Sequence, residues 1–559
     1  MYADDKNAQV VLALLKKYNI KKIVVSPGTT NVPIARSVQN DKFFEVYSIV
    51  DERGAAYFAT GLAFATGEPV VISCTGATAS RNYLSGLTEA YYRKLPVIAL
   101  TSQHHTPDYD DLVPQLTDRT SSQNDIKKFD AQLPHVRSIE DLKTCILQVN
   151  KALHFATTKG GGPVHINLPV SPAYSFTTKR LPNFTKIEYY NTEDFPAKEL
   201  VEEFAKKKIG IFIGAHRPFG KDVMDVLEKF VKKTNAPVFY DHTSCYNGKN
   251  GVLTSRIADL VQTNNLPDIL IDMGSISGDY SASRLFKDVI TWRVSEDGKF
   301  HNRLNVEKLR KVFECSEKFF FDSLVKAMPR ARTKRYYKEL LDELSNIKTP
   351  VLPLSNTYIS SMLAQKLPKN SLLHMSILNS LRNMDFFEVD KSVLTSCNVG
   401  GFGIDGALST LMGQAAADKE RIAFGLVGDL AFFYDMNALG IRHIGKNVRI
   451  LMINNGRGVE FRLNKKLEGQ WADDTDEYIA AEGHNGSAKA WAESQGFVYM
   501  TANTKEEFNR QIDEFCDEDV EHFNAPVLFE VFTKVSDEQQ ALDRIRDYNK
   551  PIKKKGGKR

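Results

Sequence analysis

Cysteine is scarce in this chain, six in 559 residues, and no two sit at the C-x-x-C spacing that binds zinc or shuttles electrons. Cys74, Cys145, Cys245, Cys315, Cys397 and Cys516 stand singly, which excludes a disulfide scaffold and points to a reducing compartment. Long apolar runs are missing too. Nothing approaches the roughly 18 residues that span a bilayer, and Asp4 and Asp5 precede only the short apolar run Val10–Leu15, unlike a secretory signal. The expectation is a cytoplasmic protein with no membrane association. A dominant charge is also absent: 73 basic residues face 69 acidic ones, a net +4. Lys550–Arg559 carries six positive charges and no acid, so the body of the chain is slightly acidic. Residues 546–559 read as a solvated basic tail rather than a nucleic-acid surface.

What is present is globular: 42% hydrophobic and 25% charged residues, in a length suited to three domains of ordinary size. Residues 5–18, 53–66 and 81–93 have helical period. Between them lie short apolar runs at 22–26, 69–74, 96–101 and 163–168, read as strands. Such runs alternating with helices predict a parallel sheet covered on both faces. The pattern restarts at 208–213, with strands at 237–240 and 268–272, and again with strands near 393–397, 421–428, 448–454 and 526–533. The fold class is therefore α/β: three doubly wound parallel-sheet domains in series, over 1–185, 186–345 and 346–545.

Two elements carry chemistry. Gly401-Phe402-Gly403-Ile404-Asp405-Gly406 is a literal G-x-G-x-x-G between a strand and a helix, the context of a dinucleotide-binding turn. The acid expected at the end of the next strand for a nicotinamide site is instead part of Gly428-Asp429-Leu430, a strand end followed by a helix start. More informative is a strand ending in Gly428-Asp429-Leu430, then a second ending in Asn454-Asn455, 26 positions after Asp429. A carboxylate and an amide oxygen delivered by adjacent parallel strands are hard ligands suited to Mg²⁺ and diphosphate oxygens.

Gly428-Asp429-Leu430 through Asn454-Asn455 resembles the diphosphate-and-metal motif of thiamine-diphosphate enzymes, which would make the fold the thiamine-diphosphate-binding one. That family joins a pyrimidine-binding, a central and a diphosphate-binding domain. Val50-Asp51-Glu52-Arg53-Gly54-Ala55-Ala56 resembles the segment whose glutamate contacts the aminopyrimidine ring. Together with Thr75-Gly76-Ala77-Thr78-Ala79, Gly403–Thr410 and Tyr434–Leu439, these motifs are most similar to the branch that makes the succinyl-enolpyruvyl-hydroxycyclohexene-carboxylate of menaquinone biosynthesis. The resemblance implies that Glu52 drives cofactor activation and that Ile404 holds the cofactor's V shape. It implies cofactor contacts at Gly28, Gly76, Phe402, Gly403, Ile404, Gly428, Asp429, Leu430, Asn455 and Arg457. Asp429, Asn455 and the Arg457 carbonyl would hold Mg²⁺. A homodimer or homotetramer is implied as well.

The pattern breaks in the substrate pocket. Where that branch places three arginines, this chain has Thr30, His104 and Val399, none of which can form a bidentate fork with a carboxylate. Gln115 matches a pocket glutamine of the branch. His104 and His105 follow the 96–101 strand and read either as proton relays toward an acceptor or as surface polar residues. Glu460 reads as a second active-site acid or as an ordinary helix-start glutamate, and His484 as part of a lid or of a plain glycine-flanked loop. The expected activity is decarboxylation of a small 2-oxo acid and transfer of the acyl anion to an acceptor poor in carboxylates, such as an aldehyde or a keto sugar. Simple decarboxylation is the nearest alternative; a nicotinamide oxidoreductase or a catalytically silent cofactor-binding regulator are alternatives of another class.

Overall fold

The computed structural model describes residues 1–104, 114, 123–158, 160–171, 174–205, 207–300, 304–328, 335–463 and 483–550. The chain divides into two compact units. One is Met1–Tyr189 with Lys299–Asn302 and Val306–Val312; the other is Tyr190–Gly298 with Arg303–Asn305 and Phe313–Arg559. Among the described residues no helix is long and apolar enough to cross a membrane.

The first unit is built on a six-stranded parallel sheet. Its spatial order is Glu45–Ser48, Lys22–Val25, Val70–Thr75, Val97–His104, Val164–Val170, Phe129–Gln132. The four strands read from the sequence are its centre, where apolar side chains are buried on both faces. The two unread strands, Glu45–Ser48 and Phe129–Gln132, are its edges. They are short and polar because water or a single neighbour covers them. From Lys22–Val25 the chain steps outward to one edge, then returns to Val70–Thr75 and builds toward the other. The crevice between those two strands is a topological switch point, where α/β sheets bind ligands beyond the strands' carboxyl ends.

The helix Glu52–Thr66 covers one face of this sheet. Asp51 caps it by accepting from the Arg53 N–H, and Gly67, at φ +68, ends it in the left-handed region. Its buried stripe is Ala55, Ala56, Ala59, Thr60 and Ala63, small residues that let another helix, Leu84–Tyr92, approach closely. At the contact stands Gly86, where a Cβ would lie 2.5 Å from Ala56 Cβ.

The second unit holds two parallel sheets. The central one includes, in spatial order, Gly251–Leu253, Val238–Tyr240, Ile209–Ile213, Ile269–Met273 and Ile290–Ser295. Its switch point, between Ile209–Ile213 and Ile269–Met273, is closed by the chain itself. Gly214 N donates to Met273 O at 3.0 Å, Ala215 N to Ile276 O at 2.9 Å and Ser275 N to Ala215 O at 2.8 Å. The other sheet has the order Leu394–Cys397, Leu372–Met375, Ala423–Gly428, Val448–Asn454, Val527–Phe532, Val498–Ala502. Its switch point lies between Leu372–Met375 and Ala423–Gly428. The G-x-G-x-x-G turn instead follows the half-buried edge strand Leu394–Cys397. A dinucleotide turn follows a strand at the switch point, so the nicotinamide reading of Gly401–Gly406 finds no support in this topology.

Gly86→Ala is expected to destabilise the first unit by about 1–3 kcal/mol through overpacking against Ala56. A lower urea midpoint at unchanged slope would show it; an unchanged midpoint would mean the two helices part at little cost.

Candidate active site

In the first unit the switch-point crevice is narrow because of Gly28. Its φ is +152°, and a Cβ there would lie 2.8 Å from the Thr75 Cβ. Thr30, 4% exposed, hydrogen-bonds Thr75 Oγ1 and donates to Ser102 O at 2.7 Å. This threonine therefore spends its hydroxyl on the crevice wall. Gly76 precedes the short helix Ala77–Asn82, with Ala77 itself at φ +53, a sparsely populated conformation for a residue with a side chain. Asn82 of that helix donates from Nδ2 to Glu52 Oε2 at 3.4 Å, so the half-buried Glu52 carboxylate lies beside the segment Gly76 opens. His104 ends its strand with its ring stacked near Tyr174, 6.4 Å between centroids. Its Nδ1 and the Ser102 Oγ are buried with no hydrogen-bond partner among the described residues. His105 and Gln115 lie outside the described residues.

In the second unit the switch point gathers the metal-motif residues. Asp429 opens a helix at the end of Ala423–Gly428, its side chain 4% exposed. Its Oδ2 accepts from Asn455 N (3.1 Å) and Gly456 N (2.8 Å), and its Oδ1 from Leu430 N (2.7 Å). Burial pushes this carboxyl above the usual range, opposed by the Leu430 N–H, by His484 and by the Gly456 and Asn455 N–H groups. His484 is held by Gly456 O, which accepts its N–H at 2.8 Å, and its Nε2 lies 3.3 Å from Asp429 Oδ2. Asn455 Oδ1 accepts from Arg457 N at 3.3 Å, folding the turn onto itself. Gly456 makes that turn possible, at φ +78.

A cavity of about 100 Å³ at this point is lined by Ile404, Gly428, Asp429, Leu430, Asn455 and Arg457, with Ser376, Leu378, Asn379 and Glu460. Seven residues singled out from the sequence thus meet in one place: Ile404, Gly428, Asp429, Leu430, Asn455, Arg457 and Glu460. Phe402 and Gly403 sit on the turn that delivers Ile404. Phe402 adopts φ +55, and a Cβ on Gly403 would lie 2.7 Å from Asp405 Oδ1. Glu460 is not free; it forms an ion pair with Arg382. Among the described residues no cluster of three His, Cys, Asp or Glu side chains could hold a metal ion. A site here would rest on one carboxylate, one amide oxygen and a carbonyl.

Several residues of the site carried no sequence signal. Ser376, Leu378 and Asn379 follow Leu372–Met375, a strand of four residues too short to show a period. Leu378 stands at φ +71, a strained conformation for a branched residue. Glu530, 0% exposed, accepts from Asn454 Nδ2 (2.8 Å), Ser487 Oγ (2.7 Å), Tyr499 OH (2.7 Å) and the Ala488 N–H. One buried carboxylate thereby ties the strand before Asn455 to the segment carrying His484.

Comparison with known proteins agrees with this geometry. Residues 5–130 match the family model described as thiamine pyrophosphate enzyme, N-terminal TPP binding domain. Over 99% of its length the chain is 30% identical to the whole of a 2-succinyl-5-enolpyruvyl-6-hydroxy-3-cyclohexene-1-carboxylate synthase of Bacteroides fragilis. It is 31% identical to the synthase of the same name from Phocaeicola vulgatus, again over 99% of this chain and all of the relative. The chain belongs to this synthase family. A Porphyromonas gingivalis relative of the same name is 25% identical over 97% of the chain. As a member of the family the chain is a thiamine-pyrophosphate enzyme, and its two switch-point crevices are where the family motifs fall.

Glu530→Ala strands donors on three segments, those of Asn454, Ser487 and Tyr499, and is expected to cost at least about 2 kcal/mol. Urea unfolding checks the cost. A thermal shift by thiamine diphosphate and Mg²⁺ that survives at full size would show that Glu530 does not shape the Asp429–Asn455 turn.

Proposed function

We propose that this enzyme uses thiamine diphosphate and Mg²⁺ to decarboxylate a small 2-oxo acid and to transfer the acyl unit to a carbonyl acceptor poor in carboxylates. The observation that carries the cofactor half of this reading is Asp429. A nearly fully buried carboxylate lining a cavity with Asn455 and Arg457, offset only by three backbone N–H groups and His484, suits a cation, since burying a charge is costly. The donor set is all oxygen, suited to Mg²⁺, and no atom crowds the Cα face of Gly428 within 4 Å. Asp429, Asn455 Oδ1 and the Arg457 carbonyl would hold the metal, with Gly428 and Leu430 beside the diphosphate.

When bound, thiamine diphosphate supplies the electron sink that decarboxylation of a 2-oxo acid requires. The chain's own residues do the rest. Glu52 Oε2, steadied by Asn82, would hold a proton at the aminopyrimidine side. Ile404, packed against the apolar core of its sheet, excludes water and shapes the bound cofactor. His104, with a buried unpartnered Nδ1, is placed to hold or pass a proton at that atom.

The acceptor half rests on the three missing arginines. Thr30 is consumed by the crevice wall. Val399 is buried at 6% exposure, and its Cγ1 lies 2.9 Å from where a Cβ of Gly278 would stand. Neither position offers a carboxylate a fork. Glu52 and Asp429 lie in different compact units, and the family resemblance implies a homodimer or homotetramer.

A thermal-shift titration with thiamine diphosphate and Mg²⁺ is expected to stabilise the protein, and Asp429→Asn to remove the Mg²⁺-dependent part. Glu52→Gln is expected to lower CO₂ release from the best 2-oxo acid by about 10²-fold or more while sparing the thermal shift. No CO₂ from pyruvate or longer 2-oxo acids, with or without an aldehyde acceptor, would sink the proposal.

A further inference from the structure

A cavity of about 770 Å³ in the second unit adjoins the metal-motif cavity: Asn379 and Glu460 line both. Its volume falls within the range of small-molecule sites. Strain marks the shared wall, since Leu378, the residue before Asn379, is the one at φ +71. Across from it stands Tyr280, 55% exposed. Its ring is stacked near Phe402 at 6.3 Å and covered by the Arg382 guanidinium at 5.0 Å. Arg382 in turn is the ion-pair partner of Glu460. A continuous set of contacts thus runs from the turn beside Ile404, through Tyr280 and Arg382, to Glu460 at the mouth between the two cavities.

The charge of this cavity is nearly balanced: four cationic side chains against five carboxylates. The cations are already committed. Arg284 lies 2.5 Å and Arg546 3.7 Å from the same Asp259, Lys550 pairs with Asp547, and Arg382 pairs with Glu460. A carboxylate ligand would compete with Asp259 and Glu460, whose side chains are only 9% and 17% exposed, for the same guanidinium donors. A hydroxyl both donates and accepts, so it can bridge a guanidinium and a carboxylate without separating them. An exposed tyrosine face beside such pairs suits the C–H face of a sugar-like ring.

We infer that this cavity is the acceptor compartment, that it takes a neutral polyhydroxylated aldehyde or ketone, and that Tyr280 is its specificity-determining platform. The inference rests on the carboligase reading above and names the acceptor class for it. With pyruvate as donor, the bond between the carboxylate carbon and the carbonyl carbon breaks and CO₂ leaves. A new bond joins that carbonyl carbon to the acceptor's carbonyl carbon. The acceptor oxygen takes up one proton to become a hydroxyl, and no oxidant or reductant is consumed.

The test uses the holoprotein with pyruvate and two four-carbon aldehydes, D-erythrose, which is neutral and hydroxylated, and succinic semialdehyde, which carries a carboxylate. Hydroxyketone product is followed by NMR, CO₂ is measured in parallel, and erythrose binding without donor is read by saturation-transfer NMR. Erythrose is expected to half-saturate at a concentration about tenfold below succinic semialdehyde. Tyr280→Ala is expected to raise the erythrose value about tenfold, weaken its saturation-transfer signal and move the pyruvate KM less than about twofold, while Tyr280→Phe restores the wild-type split. A preference for succinic semialdehyde, or an erythrose response untouched by Tyr280→Ala, overturns the assignment. Absence of CO₂ with an erythrose signal that Tyr280→Ala abolishes would instead overturn the carboligase reading and leave the cavity as a polyol site.

Discussion

Everything in the second unit's site is arranged around one carboxylate that water barely reaches. Asp429 takes three backbone N–H groups, from Leu430, Asn455 and Gly456, and those bonds set the turn that presents Asn455 and the Arg457 carbonyl. Such bonds favour the charged form while burial opposes it, and burial wins. The Mg²⁺ proposed for this point would relieve that opposition. Glu530 supports the same turn from behind, deeper in the sheet, by holding Asn454, Ser487 and Tyr499 together.

The half-sites share a principle rather than a sequence. Each lies where two neighbouring parallel strands send their connections to opposite sides, leaving a crevice at the carboxyl ends. In each, backbone in a sparsely allowed conformation brings the chain close: Gly28 and Ala77 in one, Leu378, Phe402 and Gly456 in the other. The central sheet has the same crevice and fills it with its own loops. A doubly wound sheet thus offers a site, and the loops beyond its strands decide whether that site stays open.

On the proposed reading, acceptor choice would follow from what the pocket charges are already doing. Removing arginines would leave a pocket merely less basic; pairing the remaining ones with Asp259 and Glu460 leaves it nearly balanced in charge while keeping it polar. The positions where the related branch carries arginine are here a wall threonine, a core valine and a histidine at a strand end. The first two contribute packing and backbone bonding instead of ligand charge.

The amino-acid pattern by itself determined the architecture and the metal-motif residues. Continuous apolar strands bury both faces, and a helix must follow each, so Gly428-Asp429 and Asn454-Asn455 could only stand at strand ends. Short or edge elements escaped it. Glu45–Ser48 and Phe129–Gln132 are polar on their open sides, and Leu372–Met375 is too brief for a period, so Ser376, Leu378 and Asn379 went unread. Tertiary structure alone decided that Tyr280 and Arg382, about a hundred residues apart, meet beside Glu460. Periodicity reports only which face of an element is buried. Which charge neutralises which is settled by packing between elements distant in the chain, and no local spacing encodes that.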